Sequence, residues 1–156
     1  MKLSAGSDSQ LSTRMSLNFF DTHAHLDYPD YAPDLTEVIA RAQAAGIVKI
    51  ISIGTSLSGS ECAIRLAEKF PNVFAAVGWH PTEAEKAPTD FRPALRELAK
   101  HPKVVAIGET GLDYHHLPET DAAKYKQRQA EIFHRQRRSN VAPEPAARPS
   151  FESSPT

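Results

Sequence analysis

Two histidines one residue apart, His23 and His25, sit at the end of an apolar run, Leu17 to His23, that opens the patterned part of the sequence. Side chains two apart on a strand share a face, so both imidazoles can reach one bound ion. Neutral imidazole is the commonest metal-binding side chain. About eighty residues later a second short apolar run, Val104–Gly108, ends in Glu109, whose carboxylate could bind the same ion or bridge it to a second. Such a donor set is the start of a metal-dependent hydrolase site. The bland alternatives are two buried, hydrogen-bonded histidines and a Glu109 paired with a lysine or arginine.

Other polar residues lie near these ends. His80 follows Trp79 and precedes Pro81, and is expected at the same mouth, touching a substrate phosphate or bonding loop backbone. Asp113, in the run GETGLDY, either orients a ligand or water or caps the turn after Gly111. Asp27 either supports the histidines or is a turn residue. His101, before Pro102, is expected at the opposite end of the strands and inert; His115, His116 and His134 read as loop or surface positions. Cys62 reads as a small buried helix residue with no base beside it. Lys124, Lys126, Arg128, Arg135, Arg137 and Arg138 could meet a DNA backbone, although a solvated helix face is the commoner explanation.

The elements that must position these residues alternate between strand and helix. Strands are expected at Leu17–His23, Ile47–Gly54, Val73–Trp79 and Val104–Gly108. The first helix is expected near Asp34–Ala45, with Leu35, Val38, Ile39 and Ala42 as its apolar stripe and Gly46 as its stop. The second opens at Ser58-x-x-Glu61, a capping box, and should bury Ala63, Leu66, Ala67 and Phe70. The third spans about Asp90–Lys100 on a stripe of Phe91, Ala94, Leu95 and Leu98. A fourth begins near Thr120–Asp121 and runs through Phe133. Strands two to four are nearly continuous apolar runs, which predicts parallel strands covered on both faces. Four βα units fit an open doubly wound sheet or half of a (β/α)₈ barrel. No Gly-rich phosphate loop follows strand one, which favours the barrel.

Bulk properties set outer bounds. The 156 residues suit one domain, and a net charge of −1 makes no global case for nucleic-acid or membrane binding. Metal ions and local Lys or Arg could still hold phosphates, so a nuclease is not excluded. A single cysteine rules out an internal disulfide; with no export signal or membrane span legible, a cytoplasmic compartment is expected.

The set FDTHAHLD (20–27), GWHP (78–81) and GETGLDY (108–114) resembles the TatD family of metal-dependent deoxyribonucleases, relatives of the amidohydrolase-like metallo-hydrolases. The resemblance covers residues 17–136. It implies a (β/α)₈ TIM barrel, here limited to about the first four βα units, that cleaves DNA phosphodiester bonds through metal-activated water. The family's ligands fall on His23, His25 and Glu109, for one or two divalent cations among which Mg²⁺, Mn²⁺ and Zn²⁺ are not distinguished; His80 and Asp113 are the substrate-binding candidates. DNA is the implied substrate, with no membrane and no obligate protein partner.

The family's remaining ligands, two histidines and an aspartate on later strands, have no match in this sequence. A truncated, non-catalytic product is therefore one alternative, and an amidase or phosphotriester-type metallo-hydrolase is the other. Residues 1–16 read as a disordered leader. Residues 137–156, with four prolines and only Val141 and Phe151 as large apolar residues, read as a disordered tail unrelated to the family.

Overall fold

Apolar spacing and turn chemistry produce four strand-then-helix units in the computed structural model, which describes residues 17–139. The expected leader and positions 140–156 of the expected tail lie outside the described residues. The strands are β1 (Phe19–Ala24), β2 (Ile47–Ile53), β3 (Val73–Val77) and β4 (Val104–Ile107). The helices are α1 (Leu35–Ala44), α2 (Leu57–Lys69), α3 (Arg92–Leu98) and α4 (Ala122–Arg137). Two 3-10 segments, Pro29–Tyr31 and Pro81–Lys86, follow β1 and β3 and have no counterpart in the sequence pattern.

All four strands are parallel and lie in sequential order, β1-β2-β3-β4. A doubly wound sheet reverses its strand order at a switch point. This sheet does not, so the chain holds four consecutive units of a (β/α)₈ barrel.

Helices cover one face. Ile39 of α1, Ala63, Ile64 and Ala67 of α2, Leu95 of α3 and Ile132 of α4 join Ile50, Val73, Ala75, Val77 and Val104 of the sheet in one core. The opposite face departs from expectation. Phe20, Lys49, Ile51, Phe74 and Val105 line an open hollow of about 240 Å³ that nothing covers among the described residues. Phe19 and Phe20 are 53% and 59% exposed because β1 is an edge strand and Phe20 points to that bare side. The apolar run before the histidines is therefore not anchored in a core here.

Two local readings also change. The N-cap of α2 is Ser56, whose hydroxyl accepts from the Gly59 amide at 3.1 Å; Ser58 lies inside the first turn, so Ser58 and Glu61 form no capping box. Ser60, Ala63, Ile64 and Ala67 form the buried stripe, Phe70 is buried as expected, and Leu66 is only half-buried. On α3, Ala94 is exposed, while Phe91, Leu95 and Ala99 make the buried face at helical spacing. Among the described residues no helix is long and apolar enough to cross a membrane.

Candidate metal centre

The C-terminal ends of the four strands gather the polar residues. At the end of β1, Asp21 accepts the His23 amide on its carboxylate (3.1 Å), and the pairing with β2 slips register between Asp21 and Ala24. His23 is thereby turned to the strand end, its side chain 54% exposed. His25 lies just past β1, stacked on the Tyr28 ring at 5.0 Å between centroids. The Nε2 atoms of the two histidines are 3.3 Å apart, the shared face that their spacing implies.

Glu109 reaches the same point from β4. The Gly108 amide donates to Val77 O (2.9 Å) and the Glu109 amide to Gly54 O (3.2 Å), fixing the backbone that carries the carboxylate. Its Oε2 lies 3.4 Å from His23 Nε2 and 3.8 Å from His25 Nε2, and the three donors fall within 4.8 Å of one another. Ligands about 2.0–2.2 Å from a tetrahedral ion stand about 3.3–3.6 Å apart. Two of the three separations fall in that range and the third exceeds it by a few tenths of an ångström, so this donor set fits a divalent cation.

His80 joins the group from β3. Its Nε2 is 3.1 Å from Glu109 Oε1, the carboxylate oxygen that faces away from the other two histidines. The Thr82 amide donates to His80 Nδ1 at 3.1 Å, with the Thr82 hydroxyl 2.6 Å away. A nitrogen that accepts from a backbone N–H carries no proton, so the ring proton sits on Nε2, the nitrogen nearer Glu109. His80 thus bonds its own loop and lies beside the carboxylate. Beside it, His25, Tyr28, Thr55, His80, Thr82 and Glu83 line a shallow cleft of about 160 Å³.

Three buried polar residues hold these strand ends, and all escape a reading that places polar residues outward. Ser60 of α2, fully buried, accepts from the Gly78 amide at 3.1 Å. Gln136 of α4 accepts from the Trp79 amide (2.7 Å) and donates to Trp79 O (2.9 Å). Gln129 does the same for Asp113, with both bonds at 2.8 Å. One signal was available: Gln129, Ile132 and Gln136, three and four apart, occupy a single helical stripe. Tyr28 and Thr82 had no such signal, because neither loop has a period.

Asp113 is not gathered with the histidines. Its carboxylate accepts from the amides of His115 (2.9 Å) and His116 (3.1 Å) and pairs with His116 Nδ1 (2.7 Å). The His116 side-chain bond, with the backbone bonds beside it, holds the Asp113 carboxyl down at about 2. Asp113 thus caps the turn that runs through His115 and His116. Asp27 makes no bond to either histidine; one of its oxygens and His25 Nδ1 are both buried without a partner. His101 pairs with Glu68 at 3.1 Å. Cys62 is half-buried. Much of the basic stretch is already engaged: Arg128 donates to Ala84 O and Ala87 O, Arg135 to Thr89 O, and Lys126 lies over the Tyr114 ring.

The chain is similar to known metal-dependent hydrolases and nucleases. The family described as TatD related DNase matches residues 20–140. An uncharacterized metal-dependent hydrolase, YabD of Bacillus subtilis, is 44% identical over 96 residues, which are 62% of this chain and 38% of that protein. The 3′-5′ ssDNA/RNA exonuclease TatD of Salmonella typhimurium is 34% identical over 113 residues, 72% of this chain and 44% of its own. Among solved structures, the TatD homologue YJJV of Escherichia coli superposes with a TM-score of 0.68 at 33% identity, covering 78% of this chain and 46% of that one. The chain thus spans less than half the length of these relatives.

Proposed function

The chain belongs to the TatD related DNase family, and on that premise we propose that it carries the first half of a metal-dependent centre that hydrolyses nucleic-acid phosphodiester bonds. His23, His25 and Glu109 are the ligands in this reading. The observation that carries it is the convergence of their three donor atoms, from β1 and β4, within 4.8 Å. When bound there, a divalent cation supplies Lewis acidity that activates water near neutral pH and neutralises phosphate charge. A donor set of two imidazoles and one carboxylate suits Zn²⁺ or Mn²⁺, whereas Mg²⁺ prefers oxygen ligands.

The chain's own residues divide the remaining work. Glu109 offers Oε2 to the ligand cluster while its Oε1 lies 3.1 Å from His80 Nε2. The cleft lined by His25, Thr55, His80 and Thr82 receives a phosphate of the substrate beside the cluster. Asp113, engaged by His116, shapes the loop after β4. Single-stranded DNA or RNA is the proposed substrate, supported by the activity named for the relatives.

The test is calorimetric titration of the chain with Mn²⁺ and Zn²⁺, run beside metal-dependent cleavage of end-labelled single-stranded DNA. His23→Ala, His25→Ala and Glu109→Gln are each expected to weaken binding by more than about tenfold, with His101→Ala unchanged. Binding indifferent to all three substitutions would overturn the reading.

A further inference from the structure

We propose that Gln136 is a positioning residue of the metal centre: it ties the end of β3 to the backbone of Glu109 and sets the distance between the walls that carry His80 and Glu109. The inference rests on the reading of His23, His25 and Glu109 as ligands. Gln136 is 3% exposed, and its amide is spent entirely on the site. Oε1 accepts from Trp79 N at 2.7 Å, and Nε2 donates to Trp79 O at 2.9 Å and to Glu109 O at 3.4 Å. The paired bonds to Trp79 are those a neighbouring strand would make, supplied here by a side chain beyond the last residue of β3.

Packing makes this tie stiff. A Cβ placed on Gly78 would lie 2.6 Å from Gly108 O and 2.8 Å from Gln136 Oε1. The two strand ends and the amide are therefore in mutual contact, and movement of one is passed to the others as a backbone shift. His80 directly follows the clamped Trp79, Glu109 is itself held through its carbonyl, and His80 Nε2 lies 3.1 Å from Glu109 Oε1. An apolar side chain at 136 would fill the space but leave the buried Trp79 N–H and C=O without partners.

Gln129 supplies the internal contrast. It is fully buried and makes the same two-bond clamp, two helical turns earlier, on Asp113. Asp113 is outside the ligand cluster. If the clamps served stability alone, loss of either would have the same consequences.

The experiment compares Gln136→Leu, Gln136→Met and Gln129→Leu in the full chain. Each is followed by urea unfolding, Mn²⁺ titration calorimetry and ring ¹⁵N shifts of His80 without metal. All three variants are expected to lose stability. Only the Gln136 variants should weaken Mn²⁺ binding, by about tenfold or more, and move the His80 Nε2 resonance. Met matches Gln in length and keeps the test open if Leu does not fold. Unchanged Mn²⁺ affinity in a folded Gln136→Met protein, or equal weakening by Gln129→Leu, would overturn the proposal. Absence of Mn²⁺ binding in the unsubstituted chain would sink the ligand reading instead. The His80 resonance then decides: a shift confined to Gln136 variants supports the tie, and an unmoved resonance refutes it.

Discussion

Gly78→Ala puts one methyl group where the ends of β3 and β4 nearly touch. The new Cβ would meet the Gly108 carbonyl carbon and oxygen at 2.6 Å and Gln136 Oε1 at 2.8 Å, against an ordinary contact that begins at 3.4 Å. The walls must therefore part by about 0.8 Å, the difference 3.4 − 2.6. The two nearest obstructing atoms are backbone, held by the bond from Gly108 N to Val77 O at 2.9 Å, so no rotamer change relieves the clash. Overpacking of this kind costs about 1–3 kcal/mol, and straining that buried bond adds about 1 kcal/mol. An expected loss of about 2–4 kcal/mol is a large share of the roughly 5–15 kcal/mol that holds a domain folded.

The site should suffer more than the fold. A shift of about 0.8 Å exceeds the roughly 0.2 Å tolerance of metal–ligand distances, so Mn²⁺ affinity should fall together with urea stability. Gly59→Ala is the matched control. It lies in the first turn of α2, its Cβ would meet nothing nearer than 3.4 Å, and it should stabilise by up to about 1 kcal/mol. Urea unfolding by circular dichroism reads both. A Gly78→Ala protein within about 0.5 kcal/mol of the parent, with unchanged Mn²⁺ binding, would refute the idea that close approach of these strand ends sets the site.

Ser56→Ala should cost about 1 kcal/mol because it strips the cap from α2, while Ser58→Ala should change stability little; the opposite order in urea unfolding would restore the capping box. The Asp113 carboxyl is held at about 2, below its ordinary 3.8, chiefly by the His116 side chain. Because the folded value is the lower one, the stability it contributes is complete above about pH 4 and is lost as pH falls through about 2. Carboxyl ¹³C titration should show this low midpoint, and His116→Ala should return it toward 3.8; a midpoint indifferent to that substitution would mean that His116 is not the cause.

The four βα units and the His23, His25, Glu109 constellation were legible in the residues because each rests on short-range rules. Short continuous apolar runs mark the strands and a period of 3.6 the helices, and a spacing of two at a strand end puts both imidazoles on one side. Parallel pairing of sequential strands then brought β4, and with it Glu109, to the same mouth. Element ends were less legible. Ser56 and Ser58 are both competent N-caps in isolation, and only the path of the chain from β2 into α2 selected Ser56.

What the residues could not reveal depends on contacts between segments far apart in the chain. Gln136 reaches Trp79 across 57 positions and Ser60 reaches Gly78 across 18, and no local pattern marks a polar side chain as the filler of a buried gap. The partner of His80 was open for the same reason, since the Thr82 amide and the Glu109 carboxylate meet its ring only when β3 and β4 lie side by side. Exposure of Phe20 and Val105 was hidden as well. Apolar composition shows that a strand seeks cover, but which faces are covered depends on which other elements are there to pack against them.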